Sequence, residues 1–210
     1  MDLSQVNKNR KSAIDCEMNK SSLNIPERIE TRRLYLRAYK AGDGTMYYAA
    51  SMRNRDYLAE FESNNVLMHL KSEDHAETVV RELAADWMAR NRFFIGIFQK
   101  ATDEWSGQVY VEPTNWELPE FVIGFVADVN YEGKGYISEA VNGVSGMLFG
   151  DFSAYRVKSE CNENNIRSWR FLERCGFRRE GYLRENMRNT DESVNRDYLY
   201  VLSRQEYVNR

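Results

Sequence analysis

The chain has little of what metal sites, disulfide scaffolds and membrane spans are made from. Its 210 residues include only three cysteines, Cys16, Cys161 and Cys175, an odd count with no Cys-x-x-Cys spacing. That pattern supports neither a disulfide framework nor a thiolate zinc site, and it fits reduced thiols in a cytosolic protein. Two histidines, His69 and His75, are too few for a histidine-based centre, so no metal is expected. No apolar run approaches transmembrane length; the longest obvious one is FVIGFVA, residues 121–127. The N-terminus, MDLSQVNKNRKSAIDCEMNKSSLN, lacks the apolar centre of a signal peptide. A soluble, cytoplasmic protein with no membrane partner is the expectation. Nor is there a surplus of one charge. The 29 Lys and Arg stand against 32 Asp and Glu, a net charge of −3, whereas general nucleic-acid binders show a strong basic excess.

What is present is enough apolar material for a substantial core: 42% hydrophobic and 13% aromatic residues. Residues 1–25 are polar and aperiodic and read as a flexible tail, with a single domain over 26–210. RLYLRAY (33–39) alternates as a half-buried strand does. A turn at Gly42-Asp43-Gly44 leads into a helix, and Ser72 caps a second helix whose apolar stripe runs through Val79, Val80, Leu83, Ala84, Trp87 and Met88. Strands follow at 93–98, 106–112 and 120–127; the third is apolar without alternation, as a strand covered on both faces is. A helix carries Ile137, Ala140, Val141, Val144 and Leu148 on one stripe. A strand at 155–160, a helix at 165–175 closed by Gly176, and a last strand at 197–203 complete the chain. The order implies an α+β domain around a mixed, mostly antiparallel central sheet flanked by helices.

Between the strand at 120–127 and the next helix lies YEGKGYIS (131–138). A strand, a glycine-rich turn and a helix start together make an anion site, because outward N–H groups and the helix dipole both favour negative charge. Lys134 adds a cation. The same residues serve equally as a helix-entry turn, and the loop matches neither a P-loop nor a GxGxxG fingerprint.

Four stretches together extend this reading: PERIETRRLYLR (26–37), FVIGFVADVNYEGKGYISEAV (121–141), NIRSWRFLERCGFRREGYLRE (165–185) and RDYLYVLSRQEY (196–207). In order and spacing the sequence resembles the GNAT superfamily of N-acetyltransferases, in particular its RimJ/RimL branch of ribosomal-protein-type enzymes. The resemblance implies an acetyl-CoA-dependent N-acetyltransferase with a GNAT fold, acting on a primary amine by direct attack in a ternary complex. The amine of a protein N-terminus, a peptide or a small molecule stands equally open. It implies that Gly133, Lys134, Gly135, Tyr136, Ile137 and Ser138 wrap the CoA pyrophosphate, mostly through main-chain N–H groups. Two positions depart from the family pattern Gln/Arg-x-x-Gly-x-Gly/Ala: Glu132 and Ile137. Weakened CoA affinity is the expectation, and replacing Glu132 by Arg should tighten it.

The same resemblance implies an oxyanion donor among the main-chain N–H groups of Phe125, Val126 and Ala127, a leaving-group donor in Ser168, and a pantetheine contact from Asn165. Ser168 also reads as a surface hydroxyl and Asn165 as an ordinary N-cap. An attacking amine needs a base. Glu160 is the first candidate and Glu112 the second, with Glu120 and Asp128 also at strand ends. Arg170 and Arg174 suit the CoA 3′-phosphate, while the arginine-rich stretch 167–188 reads either as a nucleic-acid patch or, with its interleaved glutamates, as a salt-bridged surface. Among Trp105, Tyr110, Trp116, Phe121 and Tyr131, Trp116 is the candidate for the acceptor pocket. Two rivals remain: a non-catalytic acyl-CoA sensor and an RNA- or ribosome-associated binding protein. A homodimer is left open.

Overall fold

The structure, a computed structural model, describes residues 23–186, 188, 192 and 194–210; Cys16 and the tail before Leu23 lie outside them. In chain order the elements are β1 (Arg28–Glu30), β2 (Leu34–Ala38), α1 (Gly44–Phe61), α2 (Glu73–Ala89), β3 (Phe93–Gln99), β4 (Trp105–Asn115), β5 (Glu120–Ala127), α3 (Tyr136–Phe149), β6 (Arg156–Asn162), α4 (Ile166–Arg174), β7 (Arg178–Leu183), β8 (Asp197–Ser203) and α5 (Arg204–Val208). They form one α+β unit with an eight-stranded sheet in the order β1-β2-β3-β4-β5-β6-β8-β7.

Alternation along the strands sends side chains to two apolar clusters. Leu34, Leu36, Ile95 and Ile97 pack on one face with Ala140, Val141, Val144 and Leu148 of α3. Tyr35 and Phe98 pack on the other with Leu58 of α1 and Val80 and Leu83 of α2. The helix ends follow their side chains. Ser72 accepts a hydrogen bond from the His75 N–H at 3.1 Å, and Asn165 accepts one from the Ser168 N–H at 3.1 Å. Gly176 takes a φ of 80° just past α4, a conformation that favours glycine.

Most neighbouring strands are antiparallel, but β5 and β6 run parallel, joined by the crossover that contains α3. Their pairing is short: Glu120 to Val122 against Arg156 to Lys158. Beyond it β5 stays with β4 as far as Ala127, while β6 stays with β8 as far as Asn162. The sheet therefore opens into a wedge at its centre.

Some elements depart from the sequence expectation. Leu23 is buried, and its carbonyl accepts a hydrogen bond from the Arg90 guanidinium at 3.0 Å. Residues 23–25 thus belong to the domain, because Leu23 and Ile25 supply apolar surface to the core. β1, β7 and α5 were not anticipated, and β8 lies between β6 and β7 in the sheet. β7 is an exposed edge strand whose side chains show no buried alternation, so no pattern announces it.

Candidate active site

Two cavities meet at the wedge. The first, of about 550 Å³, lies between the end of β5, the loop before α3 and the helix α4. Phe125, Val126 and Ala127 line one wall; Gly133, Gly135, Tyr136, Ile137 and Ser138 line the second; Asn165, Ser168, Arg170 and Arg174 line the third. Gly133 and Gly135 have φ values of 73° and 75°, which lets the loop double back before the helix starts. A Cβ on Gly133 would meet nothing within 4 Å, so the loop is open where a ligand would approach. The first-turn amides of α3 face outward without helical partners, as those of any helix do. Loop geometry, the helix N-terminus and the arginines of α4 suit a phosphate-bearing ligand.

The Lys134 ammonium sits 4.7 Å above the Tyr131 ring, its carbonyl accepts from Arg33 at 2.9 Å, and its side chain does not line the cavity. The cation on the cleft is supplied from α4 instead. Arg167 meets Glu132 at 2.8 Å across the cleft, and the other oxygen of Glu132, Oε1, is buried without a hydrogen-bond partner. The departure from the family pattern at 132 is therefore an ion pair between loop and helix rather than a solvated carboxylate. Arg170 packs at 5.4 Å on the Trp169 ring. Arg178 pairs with Glu206 at 2.9 Å, so the arginine stretch is divided between the cleft and ordinary surface pairs.

The second cavity, of about 330 Å³, lies on the other side of the wedge. Glu112 on β4 and Glu160 on β6 both line it, with Phe94, Tyr110, Asn162 and Asp197. Glu62, Asn165 and Ser168 line both cavities and so mark their junction. The other two strand-end acids are elsewhere. Glu120 is held by Lys158 at 2.6 Å and by Arg156, and although partial burial opposes it these partners bring its carboxyl down to about 2. Asp128 is fully buried against Arg53 and caps the turn at Val129–Tyr131.

Glu62 escaped the sequence reading. It is the residue just past α1, where a carboxylate faces the negative end of the helix dipole. Burial, opposed by an Asn65 contact at 3.4 Å and reinforced by the charge of Asp197, pushes it up to about 7. An acid placed against the dipole rule was the available signal. Burial pushes the Cys161 thiol up to about 12, with nearby Ser168 opposing the shift, so that thiol stays protonated. Cys175 is likewise raised to about 11 by burial.

Trp116 packs edge-on against Phe121 at 5.4 Å and near Phe152 at 6.4 Å, packs against the core and lines neither cavity. Tyr110 lines the smaller cavity. A Cβ at residue 124 would lie 1.9 Å from the Tyr110 ring, so Gly124 is what lets that ring lie across β5. Trp105 and Phe121 are buried, and Tyr131 donates to Glu104 at 2.9 Å. Among the described residues no group of three His, Cys, Asp or Glu is placed to hold a metal, and no helix is long and apolar enough to cross a membrane.

The sequence over residues 33–178 matches the family model described as the acetyltransferase (GNAT) domain, and the chain belongs to this family. Among curated relatives, "Probable N-acetyltransferase YjcK" of Bacillus subtilis is 24% identical over 166 residues, 76% of this chain and 88% of that one. "Uncharacterized N-acetyltransferase YnaD" of the same species is 31% identical over 87 residues; the match covers 41% of this chain and about half, 51%, of that relative. Among solved structures, Mycobacterium smegmatis RimJ in complex with CoA-disulfide shares the fold, with a TM-score of 0.78 at 18% identity over 86% of this chain and 89% of that one. The protein is thus a GNAT-family acetyltransferase.

Proposed function

We propose that this enzyme moves an acetyl group from acetyl-CoA to a primary amine by direct attack, with both substrates bound at the wedge. The observation that carries the reading is the junction: two cavities on opposite sides of the split sheet share Glu62, Asn165 and Ser168. The larger cleft would take acetyl-CoA, whose thioester supplies an activated acetyl carbon. Gly133, Gly135, Tyr136, Ile137 and Ser138 would present main-chain donors to the pyrophosphate, while Arg170 and Arg174 offer guanidinium forks to a phosphate. Main-chain N–H groups at Phe125, Val126 and Ala127 border the part of β5 that β6 has left, which suits them to receive pantetheine or a developing oxyanion.

The smaller cavity would take the amine. Glu62 holds the role of base, since a carboxyl near 7 accepts a proton at neutral pH better than an ordinary one. Glu160 and Glu112 line the same cavity and are assigned to binding the acceptor rather than to proton transfer. Ser168 holds the proton donor's place for the departing thiolate, at the junction of the two cavities. Overall an N–C bond forms and the C–S bond breaks; the amine proton goes to Glu62 and the Ser168 side supplies one to sulfur. Asn165 fixes the start of α4 and thereby Ser168. A thiol-release assay with a panel of amines tests the assignment. Glu62→Gln is expected to lower kcat/KM by about 100-fold or more, and an unaltered rate removes Glu62 as the base.

A further inference from the structure

The acceptor cavity is bounded, small and unevenly charged. Its floor is apolar, made by Phe61, Val66, Phe94, Val122 and Ile123. The loop after α1 and the segment after β7 meet beside it, where the Asn64 side chain donates to the Arg188 carbonyl at 3.2 Å. At about 330 Å³ it is near the lower end of ligand-site volumes and fits a small molecule better than a folded partner's extended chain.

Four carboxylates line this space: Glu62, Glu112, Glu160 and Asp197. Glu160 and Asp197 are held together by Asn186, whose amide donates to them at 2.7 and 2.9 Å. One cation also lines the cavity, Arg92, and it is already paired with Asp86 at 2.6 Å. The acids feel one another. The charge of Asp197 raises Glu62, that of Glu160 raises Asp197, and Glu62, Glu160 and Glu112 together raise the Tyr110 hydroxyl, in each case added to the larger effect of burial. Carboxylates gathered in a partly closed space without a matching cation are an unfavourable arrangement, and a ligand that brings positive charge relieves it.

We propose that the acceptor is a small aliphatic di- or polyamine: one amino group is presented at the junction and a second, still protonated, is held by Glu160, Asp197 and Glu112, with the methylene chain on the apolar floor. This rests on the acetyl-transfer reading above and names its substrate class. The Glu62 end accepts a proton and releases a neutral nucleophile, while Asn186 holds the Glu160 and Asp197 carboxyls together where a second ammonium would sit. The product is the mono-acetylated amine, with one positive charge fewer.

The test compares 1,4-diaminobutane with n-butylamine and with a short peptide bearing a neutral N-terminal residue, using acetyl-CoA and following thiol release. The expected result is a kcat/KM for the diamine at least about tenfold above either comparator, corresponding to one charge-assisted contact. Glu160→Gln and Glu112→Gln are each expected to reduce that preference severalfold, mainly through KM, because both side chains are exposed enough for the fold to tolerate the change. Thermal stabilisation by acetyl-CoA is measured on the same samples. If acetyl-CoA stabilises the protein and butylamine or the peptide is acetylated as well as the diamine, the cationic-acceptor proposal is overturned while the donor reading stands. If acetyl-CoA neither stabilises the protein nor supports transfer to any amine, the donor reading fails and this proposal falls with it.

Discussion

Glu62 takes its character from a position that elementary helix physics disfavours for an acid, and its titration ties stability to rate. Its pKa in the fold, about 7, lies above the ordinary 4.5, so the native state binds the extra proton between those values. Stability from this residue therefore falls as pH rises from about 4.5 to about 7, by at most about 3 kcal/mol. Glu62→Gln should raise the Tm at pH 8 relative to the unmutated chain and leave the difference near zero at pH 4, while activity is lost at both. In the unmutated enzyme kcat/KM should climb with pH up to about 7 and then level. A flat profile across pH 6–8, measured with an amine whose own ionisation is corrected for, would contradict the base assignment. Glu132 makes the second residue-scale prediction. Its pairing with Arg167 leaves a carboxylate charge beside the expected pyrophosphate and occupies the guanidinium. Glu132→Gln frees Arg167 and removes the charge, so titration calorimetry should show severalfold tighter CoA binding. Glutamine is a cleaner probe than arginine here, because an added guanidinium would face Arg167. The Arg167 pair was not legible in the sequence, since its partner lies 35 residues away, and at Glu62 the only local sign was an acid at the end of a helix.

At the scale of elements, the loop between β5 and α3 carries the strongest local constraint. Gly135 enters the helix with a φ of 75°, a region where a side chain costs about 1–2 kcal/mol. Gly135→Ala should therefore lower the Tm by about 2–8 °C for a chain of this size, and should weaken CoA binding as the loop relaxes. Thermal unfolding with and without CoA separates the two effects; an unchanged Tm would mean the loop is not held in this conformation. This element was readable in advance because glycines and a helix stripe are local signals. So were the caps at Ser72 and Asn165, which need only a hydroxyl or amide on the residue just before the helix. β7 was not readable, because an exposed edge strand selects no apolar alternation and RREGYL resembles the end of the preceding motif. Trp116 misled for the opposite reason. Its Pro-Thr-Asn surroundings look exposed, yet the indole turns back onto Phe121 and Phe152, while the marker of the acceptor cavity, Gly124 beneath Tyr110, hides inside an apolar strand.

Across the whole molecule, the organising feature is the short parallel pairing of β5 with β6, which parts the sheet and lets two cavities share Glu62, Asn165 and Ser168. The family and the mostly antiparallel sheet were legible from sequence, and the glycines of the loop before α3 and the polar residues of α4 that line the larger cleft stand in stretches whose motifs are local. Of the smaller cavity only Glu112, Glu160, Asn165 and Ser168 had been singled out, because its lining comes from the end of α1, from β3, β4, β5 and β6, from α4 and from the start of β8, and no single stretch carries it. The claim on which everything else depends is that the larger cleft is a CoA site. A thermal-shift titration with acetyl-CoA, CoA and ATP in parallel tests it most directly. Acetyl-CoA and CoA at 100 times their dissociation constants should each stabilise the fold by about 2.7 kcal/mol, and ATP at the same concentrations should not. No shift with either CoA ligand, or an equal shift with ATP, would contradict the account.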